Sequence, residues 1–340
     1  MDILKLQLTL VPDMLEVMKK RYSILQHIAM MQPIGRRSLS TSLGITERIL
    51  RAEIDFLKNQ GLVDVDAIGM KLTKEGIRFI EEVSPFIKNL FGIHELELAL
   101  QKKLQINKVI IVPGDIELDP LVQKELGRAT ASYFRQIVQP NDIVALTGGS
   151  TLATVAEMVS DQPILDSVAF VPARGGMGEH HEYLANTVAS MMAKKTGASY
   201  RLLHVPDQLS DEAYHSLKNE TSIQEILKLI QSAGIVIHGI GQAKTMAIKR
   251  GFSEKMIDNL TQHQAVGEAF GYFFNNQSEI VHQMKIIGLK IEDLRNIPYV
   301  IAVAGGKKKA EAIIAVTRRS NCSVLVTDEG AAREMMQLNQ

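Results

Sequence analysis

The sequence predicts an α/β chain in two parts: an N-terminal winged helix-turn-helix and a larger, doubly wound, mostly parallel α/β domain. Three observations predict this. The first ninety residues carry helical periodicity interrupted by one short alternating hairpin. From Lys108 onward, short apolar runs alternate with helical patterns, the signature of a parallel sheet covered by helices on both faces. Several of those runs end in glycine turns that restart as helices, and such turns gather at the carboxyl edge of a parallel sheet.

In chain order, Leu15, Met18, Tyr22, Leu25, Ile28 and Ala29 recur at three- and four-residue steps after Pro12-Asp13, which predicts a long amphipathic helix ended by Pro33-Ile34-Gly35. A short helix follows from Arg36 to Leu43. Gly44 breaks it, and a further helix runs to about Asn59 with Thr46 as N-cap. On that helix Ile49, Leu50, Ile54 and Leu57 are expected to face inward. Arg48 and Arg51 share the polar side, where a guanidinium can pair with guanine in the major groove. Arg36 and Arg37 suit phosphate contacts that fix orientation. Leu62–Val65 and Met70–Thr73 alternate about Gly69 as a wing, whose acids Asp64 and Asp66 count against wing–phosphate contact. Arginines on a helical cap can also simply solvate a surface, but helix–glycine turn–helix–hairpin–helix in this order favours DNA binding. Ser84-Pro85 is expected to break the chain, and Leu90–Leu104 to connect the parts. The resulting boundaries are 1–88 for the DNA-binding domain, 89–105 for the connecting helix and 106–340 for a ligand-binding and oligomerisation domain.

Strands are expected at Val109–Val112, Ile143–Leu146, Val168–Val171, Leu202–Val205, Ile235–His238, Val300–Ala304 and Val324–Val326, with helices such as Leu121–Val138, Ile223–Ile230 and Lys309–Val316 between them. After Leu146 comes Thr147-Gly148-Gly149-Ser150-Thr151. A strand breaking at paired glycines before a helix presents backbone N–H groups and the positive end of the helix dipole, a seat for phosphate. Ser150 and Thr151 can cap the helix and donate hydroxyls. Alone, the same turn serves equally as a capped junction without ligand. Arg174 beside Gly175 follows another strand, and Gly305-Gly306-Lys307-Lys308-Lys309 forms a second anion seat. Two seats on one edge fit a ligand with two negative groups, such as a sugar bisphosphate, with a monophosphate using one seat as the competitor. Glu268, an acid in an apolar run, reads either as an acceptor for sugar hydroxyls or as an exposed strand edge. Lys249 and Arg250 reach a phosphate or merely solvate a helix end, the second being the plainer reading of each.

The chain has 340 residues, 46% hydrophobic and 22% charged, which is enough for large cores and argues against extensive disorder. Lys+Arg 38 balance Asp+Glu 38, and the first ninety residues hold 13 basic and 11 acidic side chains, so any DNA binding comes from local placement. A single cysteine, Cys322, beside an apolar run reads as a small core residue in a reducing compartment. No apolar run reaches the ~18 residues of a membrane span and no secretory leader is visible, which points to a cytoplasmic protein without membrane partners. Glu179-His180-His181-Glu182 reads as a polar loop: adjacent histidines splay apart, so no metal is expected. Tyr272-Phe273-Phe274 reads as core or interface.

Pro33-Ile34-Gly35-Arg36-Arg37-Ser38-Leu39-Ser40, Leu146–Thr151, Val171–Gly176, His238–Gly241, Ala302–Gly306 and Val326–Ala332 together resemble the SorC family of bacterial sugar-responsive transcription regulators, over nearly the whole chain. The resemblance implies an operator-binding winged helix joined to an effector domain of the phosphosugar isomerase/deaminase type. It implies repression of a glycolytic operon on double-stranded operator DNA, relief by fructose 1,6-bisphosphate or a related phosphosugar, dimers assembling as tetramers, and no cofactor or catalytic residue. By resemblance, effector contacts fall on Gly149, Ser150, Thr151, Arg174, Glu268 and Lys309, with Lys249 or Arg250 beside them. The rival is a phosphosugar isomerase or deaminase with a helical cap. Deaminases of that fold resemble one another in a Gly-His-Ile-Ala-Phe-Asn-Glu-Pro run, whereas Gly241 here precedes Gln242-Ala243-Lys244-Thr245-Met246. Glu268 or His238 remains available in that rival as a general acid or base.

Overall fold

The three- and four-residue apolar spacing becomes helix α1 (Asp13–Met31), which buries Tyr22, Ile24, Leu25 and Ile28. The computed structural model describes residues 10–11, 13–159, 166–176, 181–206 and 209–338. They fall into two compact units, Met1–Glu95 and Leu96–Gln340.

In the first unit α2 (Arg36–Leu43) ends at Gly44, whose left-handed φ of 64° turns the chain into α3 (Glu47–Asn59). The Thr46 hydroxyl accepts from the Ile49 N–H and caps α3. Leu50, Ile54 and Leu57 line its inner stripe and join Leu39, Val63, Met70 and Ile80 in one core. Ile49 does not join them. It is 44% exposed, one position off the i, i+4, i+7 stripe that starts at Leu50. Strands β1 (Val63–Val65) and β2 (Met70–Leu72) form the wing, and Ile34 adds a third rung by exchanging hydrogen bonds with Met70. Asp66 accepts from the N–H groups of Ile68 and Gly69, so this wing acid builds its own turn.

Helix α4 (Lys74–Leu90) runs through Ser84-Pro85, where a break was expected. Proline costs a helix one N–H donor, and here the buried Ile80 and Ile87 anchor the turns on either side. The interruption comes instead at Gly92, with φ 66°, so the next helix, α5 (Ile93–Leu104), starts three residues later than expected.

The second unit is built on seven parallel strands: β3 (Lys108–Val112), β4 (Ile143–Leu146), β5 (Ala169–Pro172), β6 (Ser199–Tyr200), β7 (Ile235–Gly239), β12 (Tyr299–Val303) and β13 (Val324–Asp328), in the order β3-β13-β12-β7-β4-β5-β6. Helices α6 (Leu121–Ile137), α7 (Ser150–Met158) and α8 (Ala185–Thr196) supply the residues that pack with Val144, Leu146, Ile237 and Val303 on one face. The expected strand at Leu202–Val205 is absent. The Asn186 side-chain amide both donates to the Leu203 carbonyl and accepts from its N–H, taking the pair that a strand neighbour would take. Cys322 is buried, and burial pushes its thiol up to about 12, which suits a core residue.

The sequence reading missed a second sheet. β8 (Gly241–Gln242), β9 (Ala265–Ala269), β10 (Tyr272–Asn275) and β11 (Ile280–Gln283) form an antiparallel sheet in the order β11-β10-β9-β8. Its core draws on α11 (Ala243–Lys249) and α12 (Glu254–Gln262), with the fully buried Phe273 in one cluster with Ala247 and Leu260. Tyr272, Phe273 and Phe274 are all core residues.

Candidate functional site

All seven strands are parallel, so the turns after their carboxyl ends share one edge. The chain leaves β4 towards β5 and β6 on one side and leaves β7 towards β12 and β13 on the other. The β4–β7 pair is therefore the switch point at which ligands bind in open α/β sheets. A hydroxyl closes it: Thr147 Oγ1 accepts from the Gly239 N–H at 3.1 Å.

The Gly148–Thr151 turn follows β4. Its helix cap is Gly149, at φ 115°, and no side chain caps it. Ser150 and Thr151 lie inside the helix, which corrects the expectation that they cap it and leaves their hydroxyls without a partner among the described residues. The Gly149 N–H is spent on the Tyr183 carbonyl at 2.7 Å, so it is not one of the outward donors. The donors are instead the N–H groups from Ser150 to Leu152, which precede any intrahelical acceptor.

Arg174 follows β5. Its backbone bridges Gly288, and the Gly175 N–H donates to Ile287 at 2.9 Å, so the short loop is fixed against the 287–289 segment. After β12, residues Lys307–Lys309 form a single 3-10 turn. Lys307 pairs with Glu334 at 3.2 Å and Lys308 with Glu117 at 3.4 Å. Lys309 has no ion-pair partner among the described residues, and neither has Lys249. Burial pulls the Lys309 ammonium below its ordinary value and the Lys249 charge adds to this, while Asp328 and Glu117 oppose it. Two cations without ion-pair partners among the described residues can attract an anion.

Glu268 reaches the same edge from the antiparallel sheet, where it stands opposite Gly241 in register. It is buried on the inner strand β9, not on an exposed strand edge. Its Oε1 accepts from Arg250 Nη2 at 2.9 Å and from the Gly271 N–H at 2.8 Å. Arg250 is therefore half of a buried ion pair and does not merely solvate its helix end, whereas Lys249 is exposed. His238 is fully buried against the Phe270 ring, and burial pulls it down to about 4, so it carries no charge at neutral pH.

In the first unit, Arg48, Arg51 and Arg37 are exposed and Arg36 is half-buried at the start of α2. Glu53, on the inner side of α3, pairs with Lys20 at 2.6 Å and Arg21 at 2.8 Å, and Arg21 stacks 3.6 Å from the Phe56 ring centre. Burial pushes the Glu53 carboxyl up, but the hydrogen bonds and charges of Lys20 and Arg21 outweigh it and hold the group below its ordinary value. The helix bearing Arg48 and Arg51 is thus clamped to α1 from its back.

Sequence reasoning missed Thr147, Gln242, Glu117 and Asp328. Only Asp328 left a signal, an acid ending an apolar strand within Val324–Asp328. Of the Glu179–Glu182 run, Glu179 and His180 lie outside the described residues, and His181–Tyr183 form one 3-10 turn. No group of three or more metal-ligating side chains occurs among the described residues.

Two family models divide the chain: "CggR N-terminal DNA binding domain" matches residues 17–87 and "Putative sugar-binding domain" matches residues 88–337. The crystal structure described as a "putative SorC family transcriptional regulator" from Enterococcus faecalis superposes with a TM-score of 0.67 at 40% identity, over 72% of this chain and 100% of that one. This chain belongs to the SorC family. Within the family it is 48% identical to the central glycolytic genes regulator of Priestia megaterium and 46% identical to that of Bacillus subtilis, over 98% of each chain. The full-length sorbitol operon regulator SorC from Klebsiella pneumoniae shares the fold, with a TM-score of 0.66 over 93% of this chain and 97% of its own at 19% identity. The protein is accordingly a transcriptional regulator, not an enzyme, that joins a DNA-binding domain to a sugar-binding domain. No helix among the described residues is long and apolar enough to cross a membrane.

Proposed function

We propose that this regulator represses a glycolytic operon and is released from its operator by a phosphorylated sugar, fructose 1,6-bisphosphate. The observation that carries the reading is the pairing of two unlike anion seats on one sheet edge, the Ser150–Leu152 N–H groups with the Thr151 hydroxyl and the Lys309–Lys249 pair, with the Glu268 carboxylate reaching the same edge. A bisphosphate occupies both seats, and its sugar hydroxyls meet Glu268. Arg174 and Gly175 close the edge beside Gly148 and Gly149, and Arg250 holds Glu268 in place.

At the other end of the chain, Arg48 and Arg51 read bases, while Arg36, Arg37 and the capped start of α3 at Thr46 set the docking angle. The functional division runs through residues 89–105, with DNA binding before it and effector binding and homo-oligomerisation after it. The regulator acts in the cytoplasm as dimers that assemble into tetramers on adjacent half-sites. Effector binding favours an arrangement that holds subunits less well on DNA, and linkage requires DNA to weaken the effector by the same factor. A coupling of ~1–3 kcal/mol is sufficient for regulation.

The test pairs operator gel shifts with a thermal-shift panel of sugar phosphates. Fructose 1,6-bisphosphate should raise the melting temperature and loosen the operator complex. Unchanged operator affinity at saturating ligand, with no stabilisation by any sugar phosphate, would sink the reading. Arg51→Ala should abolish operator binding and keep ligand-induced stabilisation.

A further inference from the structure

Asp328 ends β13, fully buried, with its carboxylate turned into backbone. Oδ1 accepts from the Ala331 N–H at 2.8 Å and caps the following helix, α14 (Glu329–Gln337). Oδ2 accepts from two other places at once: the Gly306 N–H at 2.9 Å, at the start of the lysine turn, and the Ile116 N–H at 2.8 Å, in the loop after β3. That loop carries Glu117, whose Oε1 accepts from the Lys308 N–H at 2.8 Å while Oε2 pairs with the Lys308 ammonium. From the opposite side, the Gln242 side-chain amide donates to the Lys308 carbonyl at 2.9 Å. The turn bearing Lys309 is therefore held at Gly306 by Asp328 and at Lys308 by both Glu117 and Gln242. A buried carboxylate is expensive to ionise unless donors surround it, and here three backbone N–H groups do. Burial still pushes it above its ordinary value, against those hydrogen bonds.

We propose that Asp328, with Glu117 beside it, is the positioning residue of the lysine seat: it fixes the turn that aims Lys309 and supplies the negative charge that keeps the ammonium ready for a phosphate. Neither carboxylate touches the ligand. The inference rests on the proposed effector reading, because it needs a phosphate at Lys309. The charges facing Lys309 are Lys249 from α11, Asp328 from β13 and Glu117 from the β3 loop, and its neighbours Lys307 and Lys308 are already paired. Removing either carboxylate leaves Lys249 less opposed. Lys309 then loses its proton at lower pH, and anion affinity declines sooner as pH rises.

The experiment is titration of the full chain with fructose 1,6-bisphosphate between neutral and alkaline pH, for the wild type, Asp328→Asn and Glu117→Gln. Asp328→Asn swaps an acceptor for a donor facing backbone N–H groups and should weaken binding about tenfold at neutral pH. Glu117→Gln keeps an acceptor for Lys308 and loses only charge, so it should bind within a few-fold of wild type at neutral pH. In both variants the alkaline decline in affinity should move to lower pH, which a purely architectural role would not produce. Should Asp328→Asn fail to fold, Glu117→Gln decides alone. Wild-type binding with an unmoved alkaline limb in the folded variants overturns the inference and leaves the effector reading standing. Absence of binding by the wild type overturns the effector reading itself.

Discussion

The two proposed anion seats on the sheet edge would solve one problem with opposite materials. The first, after β4, uses backbone: N–H groups at a helix start, hydroxyls at Ser150 and Thr151, and no cation within Gly148–Thr151. The second, after β12, uses side-chain charge: Lys309 feels the charge of the exposed Lys249, and the carboxylates of Glu117 and Asp328 oppose it. Backbone donors neither titrate nor move far, so on the proposed reading the first seat would set where a phosphate sits and would bring no titrating group of its own. The second depends on protonation and ionic strength, and it can be tuned by residues that never meet the ligand. Shape in one seat and charge in the other is a division that mutations can break separately.

The largest effect is expected at Gly148. A Cβ there would lie 2.3 Å from the Tyr183 carbonyl oxygen and 2.9 Å from the Ala185 nitrogen, both backbone atoms with nowhere to go. Gly148→Ala must push the 183–185 segment away, and that segment holds Gly149 through the Tyr183 carbonyl. Stabilisation by fructose 1,6-bisphosphate should disappear across the millimolar range, while operator binding persists. A Gly148→Ala protein that still melts higher with ligand would show that the first seat tolerates a different shape.

Lys309→Ala comes next. A charged hydrogen bond to phosphate is worth ~1.5–3 kcal/mol, which corresponds to about ten- to a hundredfold in affinity. What sharpens the comparison is the remainder. The variant's residual binding should show less salt dependence than that of the wild type and a smaller alkaline decline, because Lys249 is then the second seat's remaining cation. Isothermal titration at two salt concentrations reads both. Equal salt dependence in the two proteins would place the charge-sensitive contact elsewhere.

How the seats came to be legible follows the same divide. The backbone seat was visible in Leu146–Thr151 because a strand, two glycines and a helix start are local and sequential. Thr46 and Gly44 were visible in the first unit for that reason as well. The lysine cluster was visible, but which lysine stays unpaired was not: the partners of Lys307 and Lys308 lie at Glu334 and Glu117, far off in the chain. Glu268 stood out as anomalous with two readings open, a sugar-hydroxyl acceptor or an exposed strand edge; its burial on an inner strand excludes the edge, which the short strands of that sheet, without clear alternation, left undecided. The absent strand at Leu202–Val205 failed in a similar way. Leu203 and Val205 are buried at a strand's alternate spacing, but the hydrogen bonds at Leu203 go to Asn186. Pattern reading registers burial; it does not register where backbone groups find their partners.

The smallest effect, and the cleanest discriminator, is expected at Thr151. Its hydroxyl has no partner among the described residues, so removing it leaves nothing unsatisfied and should not change the melting temperature of the ligand-free protein. One hydrogen bond to a charged phosphate is lost, offset by water that can enter the gap, so Thr151→Ala should weaken fructose 1,6-bisphosphate by roughly ten- to thirtyfold at most. Because the backbone seat is uncharged, the salt and pH dependence of the remaining binding should match wild type, the reverse of Lys309→Ala. Thr151→Ser should restore most of the affinity, since the hydroxyl and not the methyl is the donor. If Thr151→Ala instead flattened the alkaline decline, the seats would be electrostatically one site, and dividing the edge into a shape half and a charge half would be wrong.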